Sequence, residues 1–113
     1  MAWKRIILEM GAGNDLHGGD YTKAALRAVQ DALHHSSLTV IRTLKLTAEQ
    51  MRVEVTIGVQ KPEAVDIEAV RKSLPHGTVT ARAVKGGLDV PDEDGRDRAV
   101  IATAAVLVRI ERD

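Results

Sequence analysis

Residues 51–59 alternate without a break: Met51, Val53, Val55, Ile57 and Val59 are apolar, and Arg52, Glu54, Thr56 and Gly58 lie between them. Along a strand successive side chains point to opposite faces, so a period of two calls for a half-buried β-strand. A chain of 113 residues holds one core and not two, and the remaining elements must be arranged around that sheet. The material for the core is narrow, with no Phe, one Trp (Trp3) and one Tyr (Tyr21). Ala, Val, Ile and Leu fill it, each burying less area than an aromatic ring would. A core this modest makes self-association an expectation.

Trp3 to Met10 is short, apolar and bounded by glycine, and reads as a buried first strand. Asp20 then caps a helix from Tyr21 to about His35, with Thr22, Ala25, Leu26, Val29, Ala32 and Leu33 on one face. Lys23, Arg27, Gln30, Asp31 and His34 take the opposite, solvated face. Leu38 to Leu46 reads as a second strand and Met51 to Val59 as a third. Asp66 caps a short helix from Ile67 to Leu74, with Val65 and Val70 placed for a hydrophobic staple. Thr78 to Lys85 and Arg98 to Glu111 are the last two strands, and the acidic, glycine-bearing stretch Gly86 to Asp97 between them is expected to be a mobile loop. The last strand is apolar on both faces, which points to a subunit contact.

The order β-α-β-β-α-β-β predicts a single α+β domain over residues 1–113 with a ferredoxin-like, split βαβ layout. Its sheet would be mostly antiparallel, with both helices on one face. In that topology the turn at His76-Gly77 comes up beside the segment Gly11 to Asp20, and the Lys85-Gly86-Gly87 corner lies at the other end.

Sixteen basic and sixteen acidic residues leave no net charge, which argues against nucleic-acid or anionic-membrane partners. The absence of cysteine removes disulfides, thiolate zinc sites and a thiol nucleophile. Met1-Ala2-Trp3-Lys4-Arg5 lacks the apolar stretch of a signal peptide, so the cytoplasm is the expected compartment.

Gly11-Ala12-Gly13-Asn14-Asp15-Leu16-His17-Gly18-Gly19-Asp20 gathers four glycines, two acids, an amide and a histidine where a strand hands over to a helix. Three readings compete. Asp15 and His17 can be a metal-ligand pair, since carboxylate oxygen and imidazole suit zinc, manganese or iron; His76, Glu9, Asp20 or a neighbouring subunit would complete the set. The loop amides, the helix N-terminus and Lys23 can instead hold an anion. Or the glycines make a tight turn whose amides Asp15, His17 and Asp20 satisfy. The fingerprint of dinucleotide binding is incomplete, because its third glycine falls at Leu16.

The run from Glu9 to Gly18 carries a Gly-x-Gly-x-Asp-x-His-Gly signature at Gly11, Gly13, Asp15, His17 and Gly18. It resembles the Lin0512 conserved-hypothetical family, as do Asp20, Thr22-Lys23-Ala24-Ala25 and Gly86-Gly87-Leu88. That resemblance implies no particular reaction. The Asp-x-His pair is also similar to the metal-binding pair of the cyclodiphosphate synthase of isoprenoid biosynthesis, a trimeric enzyme with sites between subunits. The expectation is a homo-oligomeric small-molecule enzyme. In it Asp15 and His17 bind a divalent metal or act as acid and base, and Gly11, Gly13, Asn14, Gly18, Gly19, Asp20 and Lys23 line the site. The alternative is a non-catalytic anion-binding or assembly module with a structural loop.

Overall fold

β5 (Arg98–Arg112) is the spine of the sheet in a computed structural model of the chain, which describes residues 2–34, 44–74 and 77–112. β1 (Ala2–Asp15) runs antiparallel along one side of it, from Ala2 opposite Arg112 to Asp15 opposite Val100. On the other side β2 (Met51–Val59) pairs antiparallel from Ile110 to Thr103, and β4 (Leu88–Pro91) continues that line from Ile101 to Arg98. β3 (Thr78–Lys85) extends the sheet beyond β2 and parallel to it. The order is β1-β5-β2-β3, and β5 runs against all the other described strands. The α+β class therefore stands, but the sheet is mixed rather than mostly antiparallel. The expected ferredoxin-like order is replaced by this one.

The difference lies in direction: β2 runs the same way as β1, whereas a strand expected over residues 38–46 would have set them opposed. Residues 38–43 of that stretch lie outside the described residues. Of the rest, Leu44 is helical and Lys45 is in a turn with φ 52°. Because β1 and β2 share a direction, the ends of the fold exchange places. Gly77 lies against Met51 and Val53, at the end of the sheet away from the glycine segment. His76 is outside the described residues. Gly86 approaches Gly58 and Gly87 approaches the Ile101 carbonyl, so the Lys85-Gly86-Gly87 corner is at the same end as the glycine segment.

Two of the described α-helices cover one face. α1 (Tyr21–His34) lies across β1 and β5, and α2 (Ile67–Lys72) packs beside β3 and α1. Asp66 caps α2 by accepting the Ala69 N–H at 3.1 Å, and Val65 and Val70 are both buried. The face α1 presents to the sheet is smaller than its sequence suggests: Ala24, Ala25, Ala28, Val29 and Ala32 are fully buried, while Leu26 and Leu33 are only partly so. Gly11 and Gly13 explain this. A Cβ on Gly11 would lie 2.4 Å from the Ala32 nitrogen, and one on Gly13 2.2 Å from the Ala28 nitrogen. The helix backbone rests directly on the strand, which only glycine permits.

Two residues read as solvated turn out to guard the sheet edge. β1 is an edge strand, and an unpaired edge is open to further pairing. The Ala12 N–H donates to Asp31 Oδ2 at 2.9 Å, and Arg27 Nη1 donates to the Asn14 carbonyl at 2.7 Å.

The other face of the sheet carries no described helix. Leu8, Met10, Val84, Leu88 and Val90 occupy positions on it and are exposed.

Candidate functional site

The signature divides where β1 ends. Gly11 and Gly13 belong to the strand, opposite Ala104 and Ala102 of β5, and are filled by the helix. They lie in the strand against the helix backbone and not in the loop where the sequence was expected to place them. The loop proper is short, Leu16 to Asp20, with Gly18 at φ 93° and Gly19 at φ 61°, backbone that side chains beyond glycine adopt at a cost.

Asp15 closes that loop from below. Its side chain is 5% exposed, the Asp20 N–H donates to its Oδ2 at 2.9 Å, and Lys23 Nζ and Arg27 Nη1 lie 3.7 and 3.8 Å from its Oδ1. Asp20 caps α1 by accepting the Lys23 N–H at 3.0 Å. His17 is 86% exposed, with Nδ1 at 3.6 Å from Asp97 Oδ2. Asn14 is exposed at the strand end. The two residues proposed as a metal pair thus part company, one turned into the fold and the other out to the β4–β5 hairpin. Among the described residues no three His, Cys, Asp or Glu side chains are grouped to hold a metal ion. Burial and two cationic neighbours already absorb the Asp15 carboxylate.

The hairpin is what the loop meets. The Gly18 N–H donates to Asp97 Oδ1 at 3.0 Å. Arg98 Nε is 3.7 Å from Asp89 Oδ2, and its guanidinium lies 5.4 Å from the Tyr21 ring centre and against Gly19. The Tyr21 hydroxyl donates a hydrogen bond to Asp89 Oδ2. Gly18, Gly19, Gly95, Arg96, Asp97 and Arg98 line a cleft of about 200 Å³ between loop and hairpin. The N–H groups of Arg98 and Gly18 hold the Asp97 carboxyl below the usual carboxylate range, with His17 adding to the effect.

Burial, followed by the bond to Asp89, pushes the Tyr21 hydroxyl above its ordinary value of 10.0. The folded chain keeps that proton where the unfolded chain has lost it. The stabilisation is therefore complete below the unfolded pKa and disappears as pH rises through the folded one. With one tyrosine in the chain, tyrosinate absorbance isolates it. The expected titration is displaced upward from that of the urea-unfolded chain, and Asp89→Asn brings it part of the way back. Coincident curves for folded and unfolded chain would contradict the Tyr21–Asp89 contact.

The model of a family described as "Conserved hypothetical protein (Lin0512_fam)" matches residues 5–108. The chain belongs to the Lin0512 family. Its fold is similar to the crystal structure of an FtsZ-like protein of unknown function from Nostoc punctiforme, at 39% identity, 99% of each chain covered and a TM-score of 0.85. No curated protein matches the chain. Neither description names an activity.

For this Lin0512 chain, sequence reasoning missed the partners of the signature. Asp89, Asp97 and Arg98 sit in the stretch read as a mobile loop and the strand start after it, yet they hold the glycine loop in place. The one available signal was the alternation Leu88-Asp89-Val90, too short to separate from loop.

Proposed function

We propose that this domain is a non-catalytic assembly module. In this reading the glycine signature fastens α1 and the hairpin to β1, and the bare sheet face meets other chains. The distribution of exposed apolar side chains carries it. Of eight large hydrophobics exposed among the described residues, Leu8, Met10, Val84, Leu88 and Val90 lie on that one face. Scattered singly they would need no explanation, but gathered on one surface they mark a contact. The Asp15 carboxylate and the Gly18 N–H of the signature are taken up by partners within the chain. Sedimentation velocity over a wide concentration range tests the reading. The expected mass is a multiple of 12.2 kDa, and the mass of a single chain at every concentration would overturn it.

One observation favours a second reading, a small-molecule site in the cleft. Asp89 Oδ1 and Arg98 Nε are buried without a hydrogen-bond partner, beside an exposed His17. An enzyme built here would use Arg96, Arg98 and His17 toward a small carboxylate or phosphate, with Asp15 orienting Lys23. A metal at Asp15 would first have to displace Lys23 and Arg27. Thermal-shift titration with phosphate and short dicarboxylates tests this: a saturable rise lost in both Arg98→Ala and His17→Ala supports it, and no rise removes it.

A further inference from the structure

We infer that a second copy of this chain packs face to face on the bare sheet about a twofold axis running along β5, with Met10 of each copy seated in a trough of the other. This deepens the assembly reading and rests on it. The register supplies the argument. Met10 in β1 and Thr56 in β2 are both opposite Ala105 of β5, one on each side. Arg82 of β3 continues the same row. Met10 is the knob, 70% exposed and projecting from the sheet. On the far side of β5 the surface falls away, because Gly58 has no side chain and lies beside Gly86. The resulting trough has a volume of about 480 Å³, floored by Thr56, Gly58, Thr103 and Ala105, and rimmed by the chain's own Met10 on one side and by Val84 and Lys85 on the other.

The Thr56 end of the trough is thus as far from β5 as Met10 and at the same height along it, while Gly58 lies one row further on, opposite Thr103. Rotation about β5 exchanges the two sides and keeps the height, so each Met10 faces the other copy's trough. That self-complementarity is what an isologous contact requires. The dimensions agree. Four strands at about 4.8 Å spacing and about 30 Å of length give a flat footprint of roughly 600 Å². A standard interface buries about 800 Å² of accessible surface per partner, and accessible surface exceeds a flat footprint. Aligned sheets about 10 Å apart leave room for one interdigitated layer.

The twofold also brings Met10 near Arg82 of the other copy, whereas within one chain they are about 14 Å apart, three strand spacings, farther than the Debye length of about 8 Å in physiological salt. Sedimentation equilibrium of Met10→Lys, Arg82→Glu and their equimolar mixture tests the pairing. Met10→Lys alone is expected to raise the dissociation constant at least about a hundredfold, and the mixture to recover a dimer containing one chain of each kind. A wild-type chain that remains monomeric overturns both this and the assembly reading. An assembled wild type with Met10→Lys unchanged, or a mixture that fails to recover, overturns the inference and leaves assembly through another surface. A measurement on the unmodified protein stands beside these. Peroxide oxidation of Met10 should slow at least about tenfold between dilute and assembled protein, with buried Met51 as the slow reference. A concentration-independent rate would count equally against it.

Discussion

Gly13→Ala is expected to cost at least about 3 kcal/mol of folding stability, the upper part of the range for overpacking a core. A single methyl group rarely does so much. The new Cβ would stand 2.2 Å from the Ala28 nitrogen, 2.5 Å from the Ala24 carbonyl oxygen and 2.6 Å from the Arg27 carbonyl carbon. All three are backbone atoms in the middle of α1, so no rotamer change relieves the overlap. The helix must lift from β1, and lifting it loosens Ala24, Ala28 and Ala32 at once, each of them fully buried. It also draws Arg27 and Asp31 away from the strand edge they cover. Urea unfolding reads the loss directly, and in thermal unfolding it corresponds to a fall of roughly 12–20 °C. Gly95→Ala is the comparison: its Cβ meets nothing within 4 Å, and only its φ of 71° opposes the change, so about 1 kcal/mol is expected. Equal effects at the two positions would mean that α1 does not rest on β1 as described.

The contrast between these glycines shows how far the sequence could be read. The alternation over residues 51–59 led directly to β2, and Asp20 and Asp66 were legible as helix caps because a short polar side chain before an amphipathic run has few other uses. The glycines were conspicuous, but their tasks were not. Gly13 is needed for the approach of a helix and Gly18 for positive φ, and nothing in a list of residues separates the two. A usable signal did exist. Gly11 and Gly13 are two apart, on one face of a strand, while Ala24, Ala28 and Ala32 are four apart, on one face of a helix. Small residues in both periods together indicate a close helix–strand contact. The parity of the sheet was harder to read, since counting one strand more before β2 reverses the end at which every later turn is expected to emerge. That single step placed Gly77 beside the signature and the Asp89–Asp97–Arg98 group far from it, the opposite of what the structure shows.

Asp15→Ala is expected to cost about 2–3 kcal/mol, while His17→Ala changes stability by less than about 0.5 kcal/mol. The two residues share a signature and differ in environment. Lys23 and Arg27 are half exposed, so their attraction to Asp15 is screened and contributes only a fraction of the loss. The larger part comes from the Asp20 N–H, which loses its acceptor in a part-buried position, and from the space left where a buried carboxylate stood. Losing that bond also unsettles Asp20, which caps α1 through Lys23, so the damage runs into the first helical turn. Asp15→Asn keeps the volume and an acceptor oxygen, and should recover more than half of the difference. His17 is 86% exposed and meets the Asp97 carboxylate at 3.6 Å, and its removal leaves the bond from Gly18 to Asp97 intact. Chemical denaturation of the three variants separates a loop that is structural from one built for chemistry. A signature kept for a shared acid–base or metal pair predicts little cost to the fold at either residue, with any loss appearing in ligand or metal uptake. A signature kept for architecture predicts a steep ranking in stability, Asp15→Ala well below Asp15→Asn, and His17→Ala level with wild type. From the geometry around Asp15 the second pattern is expected.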